Sequence, residues 1–325
     1  MTTLSKRLLV TGASGFLGSR IVSLAHEAGW AVRALHRSPR QELKGVETYV
    51  GDIADVSMLR KASEGAAAVV HAAGLAHVFG ARTWDSARFY EVNEAGTANV
   101  VEAALKAGVS HFVLVSSVSV YGSYPGVKCD ETIRCRPQGP YAMSKWQGEQ
   151  RAIERMAKGE GVLSILRFAT IYGEGDRGNV AKLIRALDQG RFIWPGSGQN
   201  QKSLIFKEDA ARACLCALER QASATDVFNV SAPPASMREI VAAICQGLGR
   251  PIPRLGIPGP LLKAVGAFSQ RIGDPGHLNE RLRKFVRDDV YDGSKFEATF
   301  NFSPTVSLFE GLLREINSLR AETIQ

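Results

Sequence analysis

Thr11-Gly12-Ala13-Ser14-Gly15-Phe16-Leu17-Gly18 follows directly on an apolar stretch, residues 6–11, in which Leu8, Leu9 and Val10 are consecutive. It leads into a helical pattern that runs to about residue 28. A buried strand, a glycine-rich turn and a helix in that order form the opening of a dinucleotide-binding βαβ unit. Gly12 permits the tight turn, Gly15 lets backbone N–H groups approach a pyrophosphate, and Gly18 allows close packing of helix on strand. The spacing is G-x-x-G-x-x-G, not the commoner G-x-G-x-x-G.

The alternation continues outward from this turn. A second strand, 31–35, ends in His36-Arg37-Ser38-Pro39-Arg40. A site for NAD places an Asp or Glu near this point to hold the ribose 2′-hydroxyl, and none is present. Arg37, with Arg40 and Lys44 nearby, instead suits a 2′-phosphate, which a guanidinium pairs bidentately. NADP(H) is therefore expected, with NAD(H) as the alternative. A third strand, 47–50, runs into Gly51-Asp52-Ile53, where Asp52 either accepts from an adenine amino group or caps the helix that follows. The fourth, 67–71, ends in Ala72, Ala73 and Gly74, small enough for the backbone to pass close to a ligand. A helix over 92–107 carries Asn99, a polar residue among apolar ones. Phe112 to Val115 form a fifth strand that ends in Ser116-Ser117-Val118-Ser119, where open parallel sheets present their ligands. Strands alternating with helices, without internal repeats, predict an α/β, Rossmann-type doubly wound parallel sheet.

Twenty-four residues beyond Ser117 stands Tyr141-Ala142-Met143-Ser144-Lys145. On a helix, positions i and i+4 share a face, so this tyrosine and lysine can enter one pocket. An ammonium there would favour phenolate over phenol and bring a group that titrates near ~10 toward use at neutral pH.

Composition excludes several classes. The chain has 325 residues, 45% hydrophobic and 22% charged, as in an ordinary globular enzyme of one large or two unequal domains. It contains no apolar run of membrane-spanning length, and its start shows no signal-peptide cleavage pattern, so a cytoplasmic location is expected. The five cysteines are odd in number and lack a C-x-x-C pair, and the histidines lack metal-site spacing, so neither disulfides nor a metal are expected. The net charge of +8 is spread along the chain, with one cluster, Arg281 to Arg287, that holds a single aromatic, Phe285, and no motif of a nucleic-acid reader. Nucleic acid is not an expected partner, whereas a nucleotide-sized polyanion is.

TGASGFLG, HAAG, VNEAGTAN, LVSSVSVYG and YAMSK, in this order and spacing, resemble the extended short-chain dehydrogenase/reductase family, within it the nucleotide-sugar epimerase/dehydratase/reductase branch. LRFATIYGEGD (166–176), GNVAKLI (178–184), PGSGQNQKSLIFKEDAARA (195–213), VFNVS (227–231) and VYDGSKFEATFNFSP (290–304) resemble that branch's substrate-side blocks. The resemblance implies a dinucleotide-binding domain over 1–167, to which about 203–231 returns. A smaller, mostly helical substrate domain would occupy the rest of 168–325. It assigns Ser117, Tyr141 and Lys145 as catalytic, with Lys145 also on the cofactor ribose. It places the dinucleotide on Gly12, Ser14, Gly15, Phe16, Leu17 and Gly18, extended by Arg37, Asp52, Ile53, Ala72, Ala73, Gly74 and Asn99. A nucleotide-diphosphate sugar would meet Ser117, Ser119, Thr170, Asn179, Lys182, Lys202 and Arg287.

Three departures bear on the reaction. Where the branch's dehydratases carry an Asp-Glu pair after the catalytic serine or threonine, this chain has Val118-Ser119, which removes the acid and base for water elimination. Thr170 replaces the asparagine of many epimerases, and Lys202-Ser203 replaces an arginine–acid pair. Reduction of a 4-keto-(amino)sugar nucleotide is the expected reaction, with 4-epimerisation on bound NAD as the alternative and a non-catalytic NADP(H)-binding regulator as a third reading. A homodimer through helices at 93–106 and 144–156 is expected from the resemblance. The Pro- and Gly-rich stretch 251–276, around an apolar helix at 261–268, reads as a packed helix or wall of the substrate domain.

Overall fold

The computed structural model describes residues 6–38, 43–76, 85–219, 225–257 and 285–324. The apolar helix expected at 261–268, most of the basic cluster before Arg287, and Arg40 lie outside them. None of its helices is long and apolar enough to cross a membrane among the described residues.

Three successive strands build one edge of the sheet: β1 (Arg7–Thr11), β2 (Ala31–His36) and β3 (Glu47–Val50). Joined to β1 on its other side are β4 (Ala68–His71), β5 (His111–Ser117), β7 (Val162–Phe168) and β12 (Asp226–Val230). The order is β12-β7-β5-β4-β1-β2-β3, and every pair is parallel. A parallel sheet covered on both faces demands strands that are apolar throughout. Leu8, Leu9 and Val10 are wholly buried for that reason, and alternation sends them to different layers. Leu8 and Val10 join a core with Ile21, Phe228 and Phe296, whereas Leu9 joins one with Leu59, Val100 and Ile165. The strand order reverses between β1 and β4, so the crevice at their carboxyl ends is the topological switch point where such sheets take ligands.

Helices complete the layers. α1 (Gly18–Glu27) and α7 (Lys207–Glu219) lie on the first core, and α2 (Val56–Ser63), α4 (Gly96–Lys106) and α5 (Gly139–Met156) on the second. Asp55 starts α2 by accepting from Ser57 N at 2.9 Å and Met58 N at 3.1 Å, the stabilising N-cap geometry. The single helix expected at 92–107 is instead interrupted. α3 (Asp85–Tyr90) passes through a π-helical turn, Glu91–Ala95, before α4 begins. β7 and β12 are strands that the alternation in the sequence did not supply. Their register beside β5 (Ser116 opposite Arg167) comes from pairing across long stretches of chain.

A third core lies among helices of the C-terminal half. There Val180 and Ile184 of α6 (Asn179–Asp188) pack with Ile240 and Ile244 of α8 (Met237–Leu248) and Leu312 and Ile316 of the last helix, α10 (Leu308–Ile324). The short strands β8 (Thr170–Tyr172) and β11 (Leu204–Phe206) pair with each other outside the main sheet, β6 (Lys128–Cys129), β9 (Trp194–Pro195) and β10 (Gln201–Lys202) are two-residue strands of other small sheets, and α9 (Ser294–Phe300) precedes α10.

Candidate active site

The glycine turn is shaped by two close approaches. Gly12 has φ 67°, a left-handed conformation that side chains rarely adopt, and a Cβ there would lie 2.5 Å from Ala73 N. A Cβ on Gly18 would collide with Gly12 O, so helix and strand meet with no room for a methyl group. Gly15 N donates to Gly12 O at 2.8 Å and folds the turn back on itself. Ser14 and Gly15 are exposed and Phe16 half-buried, while Leu17 is buried. Among the described residues the N–H groups of Ser14, Phe16 and Leu17 make no hydrogen bond. Unpaired donors gathered at the positive end of α1 form a cradle that fits a diphosphate.

Along the outer edge, Arg37 is exposed just past β2, and no acidic side chain stands beside it in sequence. Asp52 is exposed, and its carboxylate accepts from Ala54 N at 2.9 Å, so it closes its own turn while Asp55 serves as the helix cap. Ile53 is buried. Asn99 donates from Nδ2 to Ile53 O at 3.2 Å and so ties α4 to the loop after β3. That hydrogen bond explains why a polar residue occurs in an otherwise apolar helix.

Beneath the turn runs a polar chain missed by the sequence reading. Ala73 N donates to Thr11 Oγ1 (3.3 Å), which lies 2.6 Å from His71 Nδ1. His71 Nε2 lies 3.1 Å from Thr97 Oγ1, which donates to Asn93 O at 2.7 Å. Since Thr97 donates onward, it accepts from His71 Nε2–H, and Thr11 therefore gives its proton to Nδ1. Burial, helped by the charge of Lys145, pushes the imidazole down to about 3, so the ring is neutral. Asn93 closes the arrangement. Its amide oxygen accepts from Leu75 N at 2.8 Å, and its nitrogen donates to Leu75 O and Ser144 Oγ, both at 3.0 Å. The loop bearing Ala72, Ala73 and Gly74 is thus fixed from both ends. The available signal was a histidine closing an apolar strand, and an Asn–Thr pair four residues apart.

Tyr141 and Lys145 lie on the first two turns of α5, whose second residue is Pro140, where the missing N–H is harmless. Tyr141 is half-buried, with its ring edge-on to Phe89 at 6.0 Å between centroids. Burial raises its pKa, and the hydroxyls of Ser117 and Ser119 oppose that rise. This differs from the expected lowering by the ammonium: here the groups that favour phenolate are hydroxyls, and desolvation outweighs them. Ser117 Oγ also accepts from Ser119 N at 3.2 Å and caps the 3₁₀ turn Val118–Tyr121. Ser119 Oγ is buried without a full hydrogen bond among the described residues, although close enough to influence the phenol. Lys145 is buried, donates to Val115 O at 2.6 Å, and is pulled down to about 8 by desolvation, with Glu149 resisting.

Among the residues expected to meet a substrate, Thr170 is exposed on β8, and Asn179 and Lys182 are exposed on the first turn of α6. Asp176 holds that helix start, accepting from Gly178 N at 2.7 Å and Ala181 N at 3.2 Å. Lys202 and Arg287, 85 residues apart, share one carboxylate: Lys202 Nζ reaches Asp289 Oδ2 and Arg287 Nε reaches Asp289 Oδ1, both at 2.7 Å. Two cations thus meet on one carboxylate in a half-buried place, beside Asp288, which accepts from Gln201 N at 2.7 Å. Among the described residues, no group of three or more His, Cys, Asp or Glu side chains is placed to hold a metal.

A parallel sheet with a glycine-rich turn at its switch point, and a serine, a tyrosine and a lysine gathered at the end of β5, are the arrangement of the extended short-chain dehydrogenase/reductase class. The chain belongs to the NAD dependent epimerase/dehydratase family, whose model matches residues 8–231. It is 30% identical over 321 residues to the N-acetyl-alpha-D-glucosaminyl-diphospho-ditrans,octacis-undecaprenol 4-epimerase of Escherichia coli O157:H7, covering 96% of this chain and 95% of that one. It is 28% identical to the UDP-glucose 4-epimerase of Vibrio cholerae, over 94% of this chain and 93% of the relative. Among solved structures, MoeE5 in complex with UDP-glucuronic acid and NAD superposes with a TM-score of 0.77 at 28% identity, over 97% and 99% of the two chains.

Proposed function

We propose that this enzyme reduces the 4-keto group of a diphosphate-linked sugar, in the form of a nucleotide-diphosphate (amino)sugar, using NADP(H). The observation that carries the reading is the meeting of Tyr141, Lys145 and the Ser117 hydroxyl at the carboxyl end of β5. The dinucleotide, when bound on the Gly12–Gly18 turn, supplies the hydride. Ser117 donates a hydrogen bond to the carbonyl oxygen of the sugar, and Tyr141 delivers the proton as negative charge develops there. Carbonyl, hydride and proton together give the alcohol. A phenol whose pKa burial raises is suited to giving a proton. Lys145 keeps positive charge near the oxygen and would hold the nicotinamide ribose. Lys202 and Arg287 would receive the diphosphate by exchanging part of their hold on Asp289 for it. Thr170, Asn179, Lys182 and Ser119 would border the sugar and nucleotide, within a substrate domain made mostly of 168–325.

The exposed Arg37 and the absence of an acid beside it support NADP(H). A second reading, 4-epimerisation on retained NAD, draws support from the names of the two epimerase relatives and from the NAD named with MoeE5. In that case the same groups run the step forward and then backward within one turnover. The test is to mix the protein with NADPH and a panel of UDP- and dTDP-linked 4-keto sugars while following nicotinamide absorbance and sugar composition. Stoichiometric consumption of NADPH supports reduction. Interconversion of 4-hydroxy epimers with no net consumption supports epimerisation and overturns the first reading. Cofactor binding with neither outcome contradicts both. Arg37→Asp is expected to weaken NADPH binding about tenfold or more and to favour NADH, by removing one charge-assisted pair and adding a repulsion. Unchanged NADPH affinity in that variant contradicts the cofactor assignment.

A further inference from the structure

Eight residues after Tyr141 and four after Lys145, on the same ridge of α5, stands Glu149, whose side chain is completely buried. Its carboxylate accepts from Ser116 Oγ at 2.5 Å. It also receives the Arg167 guanidinium in a two-pronged pair, with Nη2 at 2.7 Å from Oε2 and Nε at 3.1 Å from Oε1. Ser116 and Arg167 are register partners on β5 and β7. One anion on the helix therefore clasps two adjacent strands at the residue that precedes Ser117. The clasp reaches further: the Arg167 guanidinium lies 4.9 Å from the centre of the Tyr121 ring, at the end of the turn that carries Ser119. Tyr121 in turn donates to Asn229 Oδ1 on β12 at 2.8 Å.

A buried ion pair is weak grounds for stability, because desolvation offsets its attraction. What distinguishes this pair is its neighbour. Lys145 is a buried cation one helical turn away, and Glu149 is the charge that opposes its desolvation, with Arg167 seated on the far side of that carboxylate. Among the described residues, the other titratable neighbours include His71 on β4, which is neutral, Tyr141 and Tyr121, both kept protonated by burial, and Cys135, whose thiol burial keeps protonated beside Arg167 and Glu149.

We propose that Glu149 is a positioning residue of the proton-transfer site, its carboxylate fixing Ser116 and hence Ser117 against α5 while its charge acts on Lys145. This rests on the assignment of Tyr141, Lys145 and Ser117 made above. The expected consequence is that Glu149→Gln lets Lys145 lose its proton at lower pH. Glu149→Asp, which keeps the charge, leaves Lys145 as it is in the wild type.

Competitive acetylation of the intact protein with acetic anhydride across pH, followed by peptide mass spectrometry, reads the midpoint at which the Lys145 amine becomes reactive. The wild type and Glu149→Asp should share a midpoint, and Glu149→Gln should move it down by about one pH unit, as loss of a nearby opposite charge does. Glu149→Gln also strands a buried guanidinium, so Glu149→Gln/Arg167→Gln is measured beside it. The double variant also removes the opposing guanidinium, so its midpoint should fall less than that of Glu149→Gln yet stay below wild type, and it carries the test if the single variant fails to fold. A wild-type midpoint in either Gln variant overturns it. Tyr141→Phe separates the two levels: if that variant is inactive while the Lys145 midpoint ignores Glu149, only the present proposal fails. Undiminished turnover in Tyr141→Phe removes the catalytic assignment itself.

Discussion

His71 shows what a single buried side chain contributes. Its neutral ring joins β1, β4 and α4 through Thr11 and Thr97, and it does so by giving up protonation in the folded state. The folded value near 3 lies below the ordinary histidine range near 6.5, so the unfolded chain binds the extra proton between those limits. Its contribution is intact above about pH 6.5 and is lost as pH falls toward 3. Denaturant titrations at pH 7 and pH 4 should therefore show roughly 2–3 kcal/mol more acid loss in the wild type than in His71→Gln. Equal acid losses in the two proteins would contradict the assignment. The sequence marked HAAG for its small residues, and the histidine's part was not visible there. Its partners Thr11 and Thr97 are 60 and 26 residues away, and only the packed sheet brings them together.

Elements are held in place by similar buried groups. The last helix, α10, carries Glu315, wholly buried, which accepts from Gly173 N at 2.9 Å. Burial and the nearby Asp176 carboxylate push Glu315 up to about 9. Asp176 also anchors the start of α6, so these two acids connect α10 to the helix that bears Asn179 and Lys182. Here the sign is opposite to that of the histidine: the folded state holds the proton. The stabilisation is present below about 4.5 and is lost as pH rises through about 9. Glu315→Gln, which mimics the protonated acid, should gain about 1–3 kcal/mol over the wild type at pH 8 and little at pH 4.5, measured by chemical denaturation. A difference independent of pH would count against the protonated acid. A helix over 92–107 was legible in the sequence. The π-helical turn at Glu91–Ala95 was not, because it accompanies Asn93 turning to the Leu75 backbone, a contact made across the fold.

For the molecule as a whole, the features legible in sequence were the local ones. The Leu8-Leu9-Val10 run, the glycine spacing and the Tyr141–Lys145 interval each depend on neighbours in the chain, so they indicated a parallel sheet, a phosphate turn and one shared helix face. The addition of β7 and β12 to the sheet, the meeting of Lys202 and Arg287 on Asp289, and the clasp of Glu149 on Ser116 and Arg167 all depend on distant pairing. Even at the proposed catalytic pair the local reading was incomplete. Burial raises Tyr141, and nearby hydroxyls, not the ammonium, oppose it. The central claim is that this phenol moves the proton, and its most direct test compares turnover with cofactor affinity in Tyr141→Phe. Removal of the hydroxyl should slow conversion of whichever sugar the wild type accepts by about a hundredfold or more, with dinucleotide affinity within a few-fold of wild type. Turnover equal to that of the wild type would contradict it.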